Sequence, residues 1–206
     1  MTEATTPAGR PRRGRPGHDR EAVRAAAAEL FIRKGYDATS VGDIADSLGL
    51  TKSAVYHHVA SKEELLADLL DEALRELEAA VAGASGGTGP ASVRLRAAVV
   101  RSVEVLVDHQ PAVTLLLRVH GNSDTEVAAL RRRRAVDRQL ADLVSRAAQE
   151  GALRRDLDPD VVSRLVFGMV NSLVEWYSAE GQVARDELAA TVAALVFDGL
   201  ADDDPG

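Results

Sequence analysis

Apolar residues, mainly alanine, leucine and valine, recur at intervals of three and four positions along most of the chain. This spacing gathers apolar side chains on one face of a helix, whereas the alternating pattern of a half-buried strand is rare. The pattern therefore predicts an all-α fold. Caps, glycines and prolines divide the chain into nine predicted helices. The fourth is a long helix that begins at residue 61 and continues past residue 77. The other eight span residues 19–34, 41–48, 51–58, 91–109, 111–120, 125–150, 159–177 and 186–200.

The second and third predicted helices are short and lie close together in the sequence. Ser40 and Asp43 have the spacing of a capping box at the start of the second helix, and Gly49 follows its end. Thr51 is placed to cap the third helix. Two short helices joined by a three- or four-residue turn that contains glycine form a helix-turn-helix.

The third helix has a very polar sequence, TKSAVYHHV, over residues 51–59. If Val55 is its inward-facing residue, the opposite face carries a row of hydrogen-bond donors. A helix is narrow enough to enter a DNA major groove about 12 Å wide, so this face is suited to reading bases. The alternative is an ordinary solvated surface helix. The outward-facing donors are Lys52, Ser53, Tyr56 and His57.

His57 and His58 also raise the question of a metal site. Adjacent helical residues point about 100° apart, so the two imidazoles cannot share one ion. The sequence offers no third ligand at a suitable spacing. We therefore predict neither a metal centre nor a cofactor.

Charge is distributed unevenly along the 206 residues, whose formal net charge is −7. Residues 1–62 contain 10 Lys and Arg against 7 Asp and Glu, whereas residues 63–206 contain 15 against 25. The N-terminal part is therefore basic and the remainder acidic. This arrangement indicates a polyanionic partner that binds at one end of the molecule only.

Several classes of protein are disfavoured by composition. The chain has no cysteine, so it can form neither a disulfide nor a thiolate metal site. Its N-terminus lacks the apolar stretch of a secretory signal, and no run approaches the roughly 18 apolar residues of a membrane span. We expect a cytoplasmic protein with no membrane partner. Five scattered histidines and the lack of a Gly-x-Ser-x-Gly motif also argue against an enzyme.

Residues 25–70 resemble the DNA-binding domain of TetR-family transcriptional repressors without a gap. The matching features are the Gly35-Tyr36 corner, the segment 39–44, the aromatic Tyr56 and the pair Lys62-Glu63. The resemblance implies a homodimer that binds palindromic, double-stranded operator DNA and is released by a small-molecule effector. It also implies that the third helix contacts bases and phosphates while flanking residues hold the DNA backbone. The candidate DNA-binding residues of this domain are Thr39, Thr51, Lys52, Ser53, Tyr56, His57, His58 and Lys62.

A basic segment, GRPRRGRPG, precedes the first helix. Arginines separated by glycine and proline favour an extended arm, and Arg13 and Arg15 are its candidate minor-groove contacts. A disordered tail that only raises non-specific affinity is the alternative. The predicted organisation is therefore an arm over residues 1–18, a helix-turn-helix domain over 19–62, and an effector-binding and dimerisation domain over 63–206.

Glycines are concentrated at residues 83–90, GASGGTGP. They follow a predicted helix rather than a strand, which disfavours a phosphate-binding loop. We interpret the segment as a flexible connection between two helices.

The last two predicted helices have apolar faces wider than one packing seam requires. Pairing of two chains through these helices would form a four-helix bundle, which is also the interface that the family resemblance implies. The alternative is that both helices are simply buried within one subunit. The candidate interface residues are Leu165, Met169, Val170, Leu173, Leu188, Val192, Leu195 and Val196.

Residues 91–180 are predicted to contain the effector pocket. The segment NSLVEWYSAEG, residues 171–181, resembles the corresponding part of TetR-family members that sense acyl-coenzyme A thioesters. In the run RRRR, residues 131–134, the apolar stripe of the helix brings Arg133 or Arg134 toward the interior, where a cation needs Asp137 or an anionic ligand as its partner. Core packing and solvated arginines remain alternatives. The candidate ligand-binding residues are Arg118, His120, Arg133, Arg134, Asn171, Trp176 and Tyr177.

One other class of DNA-binding protein fits the same features. An architectural protein without an effector would also combine a basic N-terminal end with a helix-turn-helix. DNA footprinting separates the two hypotheses, because a repressor protects a few palindromes and an architectural protein protects DNA broadly.

Overall fold

The computed structural model describes residues 19–178, 181 and 183–199. Within these ranges the chain forms nine α-helices and no strand, which confirms the predicted all-α fold. The predicted basic arm, with Arg13 and Arg15, lies outside the described residues. The helices are α1 (Arg20–Lys34), α2 (Val41–Leu48), α3 (Lys52–Tyr56), α4 (Lys62–Gly86), α5 (Ala91–Asp108), α6 (Gln110–Arg118), α7 (Asp124–Gln149), α8 (Pro159–Trp176) and α9 (Arg185–Phe197).

Helices α1–α3 form a small unit that we call the head. The capping box predicted for α2 is present, because the Ser40 hydroxyl accepts from the Asp43 backbone and the Asp43 carboxylate accepts from the Ser40 backbone. Gly49 ends α2 with φ of 64°, a left-handed conformation that favours glycine. The next amide, of Leu50, donates to the Ala45 carbonyl at 2.8 Å. This tight turn fixes the direction in which α3 leaves α2.

Helix α3 is shorter than predicted and ends at Tyr56 rather than at residue 58. The amide of His58 donates to the Val55 carbonyl three residues earlier, which tightens the final turn. Val59 then turns into the core and is buried. The chain thus leaves α3 early because an apolar side chain anchors the connection to α4.

Helix α4 is longer than predicted, and the interpretation of residues 83–90 as a flexible connection is wrong for its first half. Gly83 and Gly86 lie within the helix. The guanidinium group of Arg94 donates to the carbonyls of Ala84 and Ser85, which a helix end otherwise leaves without partners. Arg94 thereby stabilises a helical end that glycine disfavours.

Helices α4–α9 form the larger unit, which we call the body. Helix α4 packs against α5, α6 and α7, and α5 also packs against α8 and α9. Helix α1 contacts α4 and α6, so the head rests on two helices of the body. One continuous apolar core extends from α1 in the head to α9.

The loop before α7 is organised by one buried carboxylate. Oε2 of Glu126 accepts backbone N–H groups from His120 at 3.0 Å, Gly121 at 2.7 Å and Asn122 at 3.0 Å. Burial raises the pKa of Glu126, but these three hydrogen bonds outweigh burial and leave the pKa below its ordinary value. The folded loop therefore stabilises the charged form of Glu126.

Replacing Glu126 by Gln should lower the free energy of unfolding at pH 7 by about 1–3 kcal/mol, because a neutral amide accepts these three hydrogen bonds less strongly. The contribution of the wild-type carboxylate is present above the ordinary value of 4.5 and is lost as the pH falls below it. Urea titrations should therefore show the two proteins converging in acid. A difference that is independent of pH would contradict this role of the charge.

Candidate functional site

The outer side of α3 carries the predicted row of donors. Lys52, Ser53 and His57 are exposed, and Tyr56 is 53% exposed. Val55, on the opposite side, is completely buried. The orientation predicted for this short helix is therefore confirmed, and its polar side chains face away from the core.

Two further candidates flank this row. The hydroxyl of Thr51 accepts from the Ala54 amide at 3.2 Å, so Thr51 caps α3 while remaining exposed. His58 is half-buried at the other end of the helix. Both lie at the edges of the surface that α3 presents.

The start of α2 lies beneath the Lys52 side chain. A β-carbon added at Gly42 would stand 2.6 Å from Cε of Lys52, which is closer than atoms can approach. The glycine therefore leaves room for the lysine to cross α2. This placement brings the ammonium group close to the start of α2.

Thr39 and Lys62 instead support the corner at Tyr36. Thr39 is buried, and its hydroxyl donates to the carbonyl of Gly35 at 2.8 Å, so the prediction that Thr39 contacts DNA is wrong for its side chain. The ammonium group of Lys62 donates to the Tyr36 carbonyl at 2.8 Å and lies 4.1 Å from the centre of the Tyr36 ring. Lys62 thus joins α4 to the head and retains two further N–H donors.

A cavity of about 30 Å³ lies in the body among α4–α8. Most of its wall is apolar, but Arg133 and Asp137 of α7 and Asn171 of α8 also line it. In the part of the chain that the structure describes, the side chains of Arg133 and Asn171 have no hydrogen-bond partner. Burial raises the pKa of Asp137, although the charge of Arg133 opposes that rise. The cavity therefore combines an apolar wall with polar groups that a ligand can satisfy.

The four arginines of residues 131–134 point in different directions. Arg133 lines the cavity, whereas Arg134 is exposed and does not reach it. Arg132 extends toward α4 and forms ion pairs with Asp71 at 2.7 Å and Glu78 at 2.8 Å. Sequence reasoning missed this α4–α7 link, since a run of arginines occupies almost every direction around a helix.

The remaining ligand candidates lie away from this cavity. Arg118 and His120 border a separate cleft beside α1, where Arg118 donates to the Ile32 carbonyl at 2.6 Å. Trp176 is 60% exposed at the end of α8. Tyr177 is buried, and its carbonyl accepts from the Gln110 side chain, so it packs α8 onto α6. Sequence analysis also missed Ser102 and Phe167 of the cavity wall, because the direction of these side chains depends on how the helices pack.

Helices α8 and α9 expose part of the predicted interface. Leu165 is 68% exposed, Met169 and Leu195 are exposed as well, and Val196 is half-buried. The other candidates belong to the core of a single subunit, because their side chains pack between α8, α9 and their neighbours. These corrected residues are Val170, Leu173, Leu188 and Val192.

No cluster of three or more His, Cys, Asp or Glu residues among the described residues has the arrangement of a metal site. None of the described helices is both long enough and apolar enough to cross a membrane.

Family models cover both parts of the chain. Residues 23–69 match the model of the bacterial regulatory proteins of the tetR family. Residues 88–200, more than half of the chain, match the tetracyclin repressor-like C-terminal domain. The chain belongs to the TetR family. TetR-family proteins are helix-turn-helix transcriptional regulators and not enzymes.

Individual TetR-family relatives agree with this assignment. A TetR-family regulator from Streptomyces coelicolor A3, known from its crystal structure, has 42% sequence identity to this chain. The two structures match with a TM-score of 0.82 over 98% of this chain and 96% of that one. The transcriptional repressor KstR2 from Rhodococcus jostii is 31% identical over 85% of this chain and 87% of its own length. AibR, whose structure is known in complex with isovaleryl coenzyme A and operator DNA, has 26% sequence identity to this chain. The two structures match with a TM-score of 0.71 over 86% of this chain and 97% of that one.

Proposed function

We propose that this TetR-family regulator is a ligand-responsive repressor that binds palindromic operator DNA as a homodimer. The row of exposed donors on α3 carries the proposal, because it presents a reading surface at one end of the molecule. Similarity to the repressor KstR2 and to AibR on operator DNA supports it. Since bacterial operators lie in the cytoplasm, the proposal includes action in that compartment.

In this proposal each head places α3 in the major groove. Lys52, Ser53, Tyr56 and His57 contact bases and phosphates in this arrangement. The flanking Thr51 and His58, with the free N–H groups of Lys62, hold the backbone. Arg13 and Arg15 of the arm add phosphate or minor-groove contacts.

We assign the dimer contact to the exposed apolar stripe of α8 and to α9 beside it. Val161, Leu165 and Met169 are spaced four residues apart and therefore lie on one face of α8. Leu195 supplies an exposed apolar side chain on α9. A second copy covering this face would form a four-helix bundle and hold two reading helices at a fixed spacing.

We assign the effector site to the cavity between α4 and α8, and we propose an acyl-coenzyme A thioester as its ligand. Arg133 and Asn171 are the groups that would donate to the polar part of such a ligand, while the apolar wall receives the acyl chain. The relative AibR, which binds isovaleryl coenzyme A, supports this ligand class. A cavity of about 30 Å³ accommodates only a few waters, so any acyl chain must push the helices apart.

The required movement suggests how the ligand releases DNA. Helix α4 begins at Lys62 beside the head and carries Ala73 and Leu77 in the cavity wall. Enlarging the cavity therefore displaces a helix on which the head rests. A ligand that favours this arrangement shifts the spacing of the two reading helices away from the operator spacing.

A long-chain or aromatic acyl-coenzyme A, but not its free acid, should lower operator affinity about a hundredfold. This factor corresponds to about 2.7 kcal/mol of differential ligand affinity. Fluorescence anisotropy on the DNA upstream of the protein's own gene gives the measurement. Replacing Arg133 by Ala should reduce the release below about tenfold, because it removes one charge-assisted ligand contact.

Arg134→Ala is the matched control for that experiment, because Arg134 is adjacent in sequence but exposed. It should retain the full release. If calorimetry detects no acyl-coenzyme A and an uncharged hydrophobic compound releases the operator instead, the thioester class is wrong and the repressor assignment stands. If no compound releases the operator and footprints extend over all DNA, the protein is architectural.

A further inference from the structure

Three charged or ionisable side chains from three parts of the fold meet beside the cavity. Oε2 of Glu72 on α4 accepts from the guanidinium group of Arg24 on α1. Oε1 of the same carboxylate lies 2.7 Å from Nδ1 of His109, the residue between α5 and α6. Since a carboxylate can only accept, Nδ1 of His109 carries the proton. One carboxylate thus joins the head to the corner between two cavity helices.

The three side chains of this cluster are partly buried. The side chains of Arg24, Glu72 and His109 are 19%, 30% and 28% exposed. Burial raises the pKa of Glu72, but hydrogen bonds from His109 and Arg24 outweigh burial and leave the pKa below its ordinary value. Nε of Arg24 is buried and has no hydrogen-bond partner among the described residues. Arg24 therefore depends on Glu72 and the exposed Glu21 for compensation of its charge.

The corner at His109 belongs to the wall of the cavity. Helix α5 lines the cavity with Val105 and Leu106, just before His109. Helix α6 lines it with Val113 and Leu116, just after His109. A ligand that displaces either helix therefore moves His109 relative to Glu72.

Helix α6 is also tied to the head at its other end. Arg118, the last residue of α6, donates to the Ile32 carbonyl of α1 at 2.6 Å. The middle of α6 faces the cavity, and its two ends reach α1 through Glu72 and through Arg118. Helix α6 is therefore connected to both halves of α1.

We propose that Glu72 is the positioning residue that couples the cavity to the DNA-binding head. Its carboxylate holds α1 at a fixed position relative to the corner between α5 and α6. A change at the cavity therefore alters the angle of the head. This inference rests on the proposed effector site for its regulatory meaning. The coupling role is based on the contact of Glu72 with Arg24 and His109. It can therefore be tested in the absence of a ligand.

Glu78 provides a matched control on the same helix. Its carboxylate pairs with Arg132 of α7 at 2.8 Å, so it joins two helices of the body without reaching the head. Glu72→Gln and Glu78→Gln each remove one charge from α4 and keep the side-chain size. Circular dichroism and thermal unfolding identify any variant that fails to fold, and His109→Gln provides an independent break of the cluster.

The first test uses the full chain and operator DNA without effector. Because coupling is reciprocal, operator binding should shift the imidazole NMR signals of His109, which is identified by their loss in His109→Gln. The shift should persist in Glu78→Gln and disappear in Glu72→Gln. An unchanged His109 signal in the wild-type complex, or an equal shift in Glu72→Gln, overturns the coupling role.

The second test measures operator release by long-chain acyl-coenzyme A in the same variants. Glu72→Gln should reduce the release from about a hundredfold to less than about tenfold, with ligand affinity for the free protein nearly retained. Glu78→Gln should keep the full release. Equal release in Glu72→Gln and wild type rejects the coupling role. Failure of the wild type to respond rejects the proposed effector class, while the NMR test decides the coupling role independently.

Discussion

Operator affinity should fall about a thousandfold when the salt concentration rises from 50 to 200 mM. In the proposed complex each subunit places Lys52, Lys62 and one arginine of the N-terminal arm on phosphates, so a dimer neutralises about six phosphates and releases their counterions. The acidic body cannot supply this attraction, and the basic residues of the N-terminal end must do so. Anisotropy titrations across this salt range measure the slope directly. A flat salt response would reject the proposed DNA interface.

Two substitutions in α3 separate charge from base reading in the same assay. Lys52→Ala should reduce the slope of log affinity against log salt by about two for the dimer, one contact in each subunit. Ser53→Ala, the neighbouring uncharged donor, should leave the slope unchanged and alter the preference at one position in each half-site. A slope that Lys52→Ala does not change would place the lysine outside the phosphate contacts.

Local sequence signals predict the head closely because its helices begin and end through short-range hydrogen bonds. The Ser40–Asp43 box and Gly49 require only neighbouring residues, so the sequence contains all the information that locates the turn. The end of α4 depends on a distant contact. Arg94 of the next helix stabilises carbonyls in a glycine-rich end that local preference assigns to a loop.

Helical periodicity predicts which face is apolar but not what covers that face. Val170 and Leu195 both lie on apolar stripes, yet Val170 is buried inside the subunit and Leu195 is exposed. The same limit applies to Arg133 and Arg134, whose directions differ by one helical step. Tertiary packing determines which of the two arginines lines the cavity, and the sequence alone does not.

Val170 is buried within one subunit, so it is unsuitable for testing the proposed dimer. An arginine at Val170 would be placed in the core of each subunit, where an unpaired charge disrupts folding itself. Leu165 is 68% exposed on the adjacent surface of α8, so a substitution there leaves the subunit intact. Leu165 therefore distinguishes loss of the dimer from loss of the fold.

Replacing Leu165 by Arg should convert the protein into folded monomers and weaken operator binding by roughly a hundred- to ten-thousandfold, the usual gain from linking two binding units. The physical reason is that two arginines would face each other across an apolar bundle without partners. Val93→Arg, at an exposed apolar position on α5, is the matched control and should remain dimeric. Light scattering gives the mass, and anisotropy gives the affinity. A Leu165→Arg protein that is still dimeric and fully operator-bound would show that the subunits associate through a different face.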